Sequence, residues 1–349
     1  MYNAKERIRT IMLVERHASW IALNNVIGCP NNCIYCFLNE KKACSPLQVT
    51  DAKSAVETLL KSEYYNKDDA ICVMPNTDIF ATPSNVKQFF LVCSELKKRN
   101  IKNLVTIITK REINAKNAKI IAAFRKYLNI CVYVSYSGLC PDFEKGIRKN
   151  NEVEAIISMK NLKSYNIPCI HYWRPLLPQN SDEKILQQVF DIVKRYCIAS
   201  CMTGLKLYKN MSCQSYWPEA QKAFDSGINP ECFVPKGSFD KIVNLATKNN
   251  YSVYIDNVCL MAEIMNKPCS YGIYKTHRCE KYNICSKKQR QICGEFYDFK
   301  KPQNIEVNGE KSLNDIINIA KIQKAHITGN NINSTYWQSS FTNKEWLEL

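Results

Sequence analysis

The chain has 349 residues, 46% of them hydrophobic, enough to bury one large core or two smaller ones, so disorder is excluded as the default. Lys and Arg number 48 against 32 Asp and Glu, and the net charge of +16 either coats a lysine-rich solvated surface or attracts a polyanion such as nucleic acid. No apolar leader opens the sequence and no run reaches the ~18 apolar residues of a membrane span, so a cytoplasmic protein without a membrane partner is expected, its 18 cysteines reduced rather than paired as a disulfide scaffold.

Residues 21–28 (IALNNVIG) read as a strand running into GCPNNCIYCF, which holds Cys29, Cys33 and Cys36 within eight positions. Thr50 is expected to cap a helix with Ala52, Ala55, Val56, Leu59 and Leu60 on its apolar face. Strand 70–74 (AICVM) and the loop MPNTDIFA follow. Thr82 and Pro83 then stand as N-cap and first residue of a helix whose Val86, Phe89, Phe90, Cys93 and Leu96 recur at helical spacing. The alternation continues: strand 103–109, helix 114–127, strand 130–136, helix 151–165, strand 168–173, helix 181–195, strand 204–208, helix 238–249 and strand 251–255. Near-continuously apolar strands alternating with helices imply an α/β fold with a parallel sheet under helices. Residues 1–257 are expected to form a full or partial (β/α) barrel with functional residues at the C-terminal ends of its strands. Cys72, Cys131 and Cys169 fall inside strands and read as small buried residues.

The cysteine loop lies at that functional edge. Thiolates are soft ligands that suit iron–sulfur clusters or zinc, and a cubane cluster normally takes four. Three on one tight loop leave one iron open. Cys29-x3-Cys33-x2-Cys36 followed by the aromatic Phe37 resembles the signature of the radical S-adenosylmethionine (radical SAM) superfamily. The resemblance implies a [4Fe–4S] cluster on these cysteines, SAM chelated through its amino and carboxylate groups to the open iron, and cleavage to a 5′-deoxyadenosyl radical. It also implies a reductant such as flavodoxin or ferredoxin, and recognition of adenine by backbone beside Phe37. The superfamily's Gly-Gly-Glu-like motif after the second strand is replaced here by Pro75-Asn76-Thr77-Asp78, where Asp78 could bind the SAM amino group. Thr109-Lys110 and Ser135-Tyr136-Ser137, ending the third and fourth strands, resemble the positions that contact SAM in spore photoproduct lyase and its relatives. Arg174 offers a cationic fork suited to a carboxylate.

Residues 258–349 form a Cys-rich C-terminal extension. Cys269, Cys279, Cys285 and Cys293 are separated by nine, five and seven residues, unlike the paired CxxC of a zinc ribbon. They are expected to hold an auxiliary [4Fe–4S] cluster, a closed zinc site, or to pack without metal, with Cys259 or His277 as substitute ligands. Lys275, Arg278, Lys281, Lys287, Lys288 and Arg290 interleave with Tyr271, Tyr274 and Tyr282, a pattern that can track phosphates and stack bases. The aromatic and polar tail STYWQSSFTNKEWLEL can pack across the barrel mouth or dock a substrate. The expected function is a radical SAM enzyme modifying or repairing a nucleic acid. The alternatives are a radical SAM enzyme acting on a peptide or small metabolite, and a non-catalytic metal-containing RNA-binding module.

Overall fold

The structure is a computed structural model, and it describes residues 12–40, 43–147, 151–228, 232–269, 285–297, 304–305, 326–327 and 346–348. The chain divides into two compact units, Met1–Val253 with Trp346–Leu349, and Tyr254–Glu345.

The first unit is built on a mostly parallel sheet. Its strands are β1 (Val14–Arg16), β2 (Ile21–Leu23), β5 (Ile71–Val73), β6 (Leu104–Thr109), β7 (Asn129–Ser135), β8 (Cys169–Trp173), β9 (Ala199–Met202) and β11 (Val253–Tyr254), in that spatial order. Only β1 is antiparallel to its neighbour among the pairs whose direction is recorded. The strands from β2 onward follow chain order across the sheet, with helices in the connections between them. Those helices are α2 (Ala52–Lys61), α3 (Pro83–Lys98), α4 (Ala115–Phe124), α5 (Asn151–Ser164), α6 (Glu183–Val193), α7 (Pro218–Asp225) and α8 (Ser238–Lys248). Contacts of α2 with α3, α4 with α5 and α6 with α8 repeat the order of the strands beneath. This is the singly wound arrangement of a (β/α) barrel, in its open, partial form.

Both faces of the central strands are buried, and for that reason the strands read as continuous apolar runs. On the face of Tyr133, the rings of Trp20 and Tyr172 stand edge-on at 5.9 and 5.5 Å. His171, one residue along from Tyr172, points the other way and is completely buried. Its Nε2 lies 2.7 Å from the Tyr136 carbonyl, which can only accept, so Nε2 carries the proton and Nδ1 accepts from Ser200 Oγ at 2.8 Å. Burial pushes the His171 pKa down to about 4, so the ring is neutral near pH 7.

Several sequence expectations are corrected. The strand expected at 21–28 breaks after Leu23, and Val26–Ile27 (β3) pairs instead with Leu47–Gln48 (β4), drawing the cysteine loop out of the sheet. The cap of α2 is Asp51, whose carboxylate accepts from Ser54 N–H at 3.0 Å, and not Thr50. Thr82 does cap α3, accepting from Asn85 N–H at 3.1 Å. The strand expected at 204–208 is absent from the sheet. The preceding residues Ala199–Met202, buried on both faces, take the place beside β8, while Leu205 only bridges Phe233 of β10 (Cys232–Val234). A Cβ on Gly204 would lie 2.0 Å from the Phe233 carbonyl oxygen, so this crossing requires glycine. Within the tail, Trp346–Glu348 pairs in parallel with β10.

The second unit contains α9 (Asn257–Ile264) and α10 (Lys287–Tyr297). Asp256 caps α9, accepting from Val258 N–H at 2.6 Å. Gln289 Nε2 donates to the Lys267 carbonyl at 2.6 Å and Lys288 Nζ to Asn266 Oδ1 at 2.7 Å, joining the start of α10 to the segment after α9.

Candidate active site

Parallel strands present their C-terminal ends along one edge, and the loops there converge on one cavity. It is lined by Cys29, Cys33 and Cys36 together with Phe37, Thr77, Asp78, Thr109, Lys110, Ser135, Tyr172, Arg174 and Tyr208. Of the SAM-binding candidates from the sequence, all but Tyr136 and Ser137 lie on this wall. Ser137 is buried off the cavity, where its hydroxyl accepts from Leu139 N–H at 3.4 Å and its carbonyl from Asn180 Nδ2 at 2.7 Å.

The loop's shape is set by its own backbone contacts. Gly28 sits at φ +96°, where a Cβ would fall 2.2 Å from the Ser45 carbonyl oxygen, so the turn into Cys29 requires glycine. Gly28 N–H donates to the Asn76 carbonyl at 2.9 Å, and the Thr77 hydroxyl donates to the Gly28 carbonyl. Cys36 N–H donates to the Cys33 carbonyl at 3.0 Å, turning the chain into the short helix α1 (Phe37–Glu40). The Phe37 and Tyr208 rings stand 5.8 Å apart.

Asp78 clasps three of these segments. Its Oδ1 accepts from Thr109 Oγ1 at 2.7 Å and Phe80 N–H at 3.1 Å, and its Oδ2 from Asn31 Nδ2 and Lys110 N–H, both at 2.8 Å. Burial raises its pKa and these four donors pull against the rise.

A second buried group, Glu144, was not singled out from the sequence. Lys110 Nζ lies 2.9 Å from Glu144 Oε1 and 3.0 Å from Ser135 Oγ. The Glu144 carboxylate also accepts from the Tyr35 hydroxyl and Asn151 Nδ2, and residue 144 forms a bridge with Cys33. Burial pulls the Lys110 ammonium pKa down, and the Glu144 carboxylate, with Cys33, more than reverses this, so the value stands above the usual one. Nothing local in PDFEKG marks Glu144, because its partners lie 34 or more positions away or seven ahead on α5; only tertiary pairing of 143–146 with the loop brings it in. Arg174 Nη1 donates to the Tyr172 hydroxyl at 2.8 Å, and proximity to Tyr172 raises its pKa further.

Burial pushes the Cys33 thiol up to about 12 and raises Cys29 and Cys36 as well, so without a cation these sulfurs stay protonated. Among the described residues no three His, Cys, Asp or Glu side chains are already disposed around a metal position. The donor chemistry nevertheless fits an iron–sulfur cluster: three soft ligands of one loop share a cavity, and Asn31 Oδ1 in the same wall is buried without a hydrogen-bond partner, an acceptor available to a ligand. Of the second cysteine group, Cys269, Cys285 and Cys293 are described, whereas Cys279 lies outside the described residues, as do His277, Lys275, Arg278, Lys281, Tyr271, Tyr274 and Tyr282. Lys287, Lys288 and Arg290 are exposed on or beside the first turn of α10.

No protein-family model and no curated protein matches the sequence. Among solved structures, the chain is similar to radical SAM enzymes. SuiB from Streptococcus suis, bound to S-adenosylmethionine, is 12% identical over 67% of this chain and 48% of its own, with a TM-score of 0.46, so this chain spans about half its length. A spore photoproduct lyase variant is 9% identical over 67% of this chain and 75% of its own, with a TM-score of 0.48. TsrM from Kitasatospora setae, a radical S-adenosylmethionine methyltransferase with cobalamin and a [4Fe–4S] cluster bound, is 13% identical over 53% of this chain and 34% of its own, with a TM-score of 0.41. No described helix is long and apolar enough to cross a membrane.

Proposed function

We propose that the chain is a radical SAM enzyme whose cofactor cavity is the one walled by its cysteine loop. One observation carries the reading: three thiols of a CxxxCxxC loop line the same cavity as polar side chains from the ends of successive parallel strands. Cys29, Cys33 and Cys36 would hold a [4Fe–4S] cluster, which with SAM bound supplies one-electron cleavage of SAM and, through the resulting radical, hydrogen abstraction from a substrate. Lys110 and Arg174 bring two cationic side chains suited to the SAM carboxylate, while Asn31 Oδ1 suits a donor on the ligand. The backbone beside Phe37 suits adenine, as the sequence resemblance implies. Asp78, through its four hydrogen bonds, holds the cysteine loop against the ends of β5 and β6. Ile108, Leu205 and Tyr172 make the wall partly apolar, which limits water around a reactive species.

Anaerobic reconstitution with iron, sulfide, SAM and a reductant tests this directly. 5′-Deoxyadenosine should form with the wild type and be lost on Cys29→Ala, Cys33→Ala or Cys36→Ala. Retained cleavage in the triple variant overturns the reading.

For the substrate we favour a nucleic acid. The net charge of +16 and the exposed Lys287, Lys288 and Arg290 support this. Binding to single-stranded RNA or DNA should weaken with salt at a slope near −0.7 per phosphate contact, and neutralising two contacts should reduce the slope by roughly 1 to 1.5. No binding at low salt transfers the reading to a peptide or small metabolite.

A further inference from the structure

In the second unit four thiols are gathered. Cys259, near the start of α9, has its Sγ 3.4 Å from Cys269 Sγ. Cys293, on α10, accepts a hydrogen bond on its sulfur from Cys269 N–H at 3.3 Å and another from Gln289 Nε2 at 3.3 Å. Cys285, two residues before α10, has Cys259 as its main electrostatic neighbour. Cys259, Cys269 and Cys293 are buried and Cys285 is half-buried.

We propose that Cys259, Cys269, Cys285 and Cys293 are the ligands of one mononuclear, tetrahedral, zinc-class cation. The set differs from the one read by sequence interval, because Cys259 takes part and Cys279 is not needed.

The recorded separation of Cys259 and Cys269 sulfurs is compatible with a single metal ion. With Zn–S near 2.3 Å, a tetrahedron sets its sulfurs about 3.8 Å apart. The Cys259–Cys269 separation of 3.4 Å needs only a few tenths of an ångström of opening to meet that edge. A cubane cluster seats each thiolate on a different iron and so holds the sulfurs much further apart. The remaining adjustment is real, since no three of these side chains yet surround a common point at coordination distance. N–H groups directed at Cys293 sulfur are the outer contacts that orient and stabilise a metal-bound thiolate. Gln289 is itself held, through Nε2, by the Lys267 carbonyl at 2.6 Å, which fixes it between the two helices. Nothing in this assignment depends on the chemistry proposed for the first unit.

The test uses the full chain carrying Cys29→Ala, Cys33→Ala and Cys36→Ala, so that iron on the first loop cannot contribute. Expressed with zinc and iron both supplied, it should hold about one zinc per chain and only background iron. Exchange with cobalt(II) should give the d–d and thiolate charge-transfer bands of a tetrahedral tetrathiolate site. Adding Cys259→Ser or Cys285→Ser should abolish stoichiometric zinc, whereas Cys279→Ser should retain it. About four irons per chain with iron–sulfur absorbance, a Cys259–Cys269 disulfide in the isolated protein, or a chain with no bound metal would each overturn the proposal. So would loss of zinc in Cys279→Ser alongside its retention in Cys259→Ser.

Discussion

The ion pair beneath the cysteine loop gives a quantitative test of the site as described. Lys110 Nζ and Glu144 Oε1 are 2.9 Å apart, and their side chains are 14% and 1% exposed. At an effective dielectric constant near 20 the gross attraction at that distance is about 6 kcal/mol, set against the cost of removing both ions from water. Glu144→Gln leaves the ammonium in contact with Ser135 Oγ, the Arg174 carbonyl and the Tyr35 ring, with Asp78 acting on it only through its field. Lys110→Met leaves a carboxylate with only the Tyr35 hydroxyl and Asn151 amide. Each single substitution strands a buried charge and should cost about 3–5 kcal/mol. In the double variant no charge is stranded, so its cost should fall short of the sum by about 2–3 kcal/mol. Urea unfolding of the metal-free chain at pH 7 reads all four stabilities. Additivity to within about 0.5 kcal/mol, or single costs below about 1 kcal/mol as in exposed pairs, would refute the picture of a desolvated pair under the loop.

Other consequences are equally specific. His171 has a folded pKa of about 4 against about 6.5 unfolded, so the unfolded chain takes up its proton first. The histidine's contribution is therefore complete above pH 6.5, falls as pH drops toward 4, and loses about 3 kcal/mol in total; unfolding midpoints of wild type and His171→Gln should diverge across that window and run parallel outside it. Gly28→Ala places a Cβ 2.2 Å from a carbonyl oxygen at a positive φ, and should cost about 2 kcal/mol or more while lowering iron incorporation on the first loop. Asp78→Asn turns an amide toward two of four donors, and each unmatched donor should cost about 1–3 kcal/mol in the unfolding free energy. Equal stability of Asp78→Asn and wild type would show that the clasp is not formed in solution.

Much of this protein is legible in local pattern. Strands buried on both faces must be apolar at every position, so β5, β7 and β8 announce themselves, and Thr82-Pro83 announces α3 because a side-chain oxygen and a fixed φ act within one turn. Cys29, Cys33 and Cys36 are equally visible, since all three fall within one short loop and their spacing is local. Local pattern misleads where a competing element decides. Residues 204–208 alternate like a strand, but Ala199–Met202 pairs with β8 and Gly204 is drawn against Phe233 instead. Long-range partners decide the rest. Glu144 sits in an ordinary charged loop until Cys33, Tyr35, Lys110 and Asn151 surround it, and Cys259 belongs to a four-thiol group only once α9 and α10 bring their ends together. Hydrophobic period and ligand spacing are properties of a few neighbouring residues and survive in the sequence. The neighbours of a buried charge or thiol are set by chain crossings dozens of residues apart, which only the folded chain specifies.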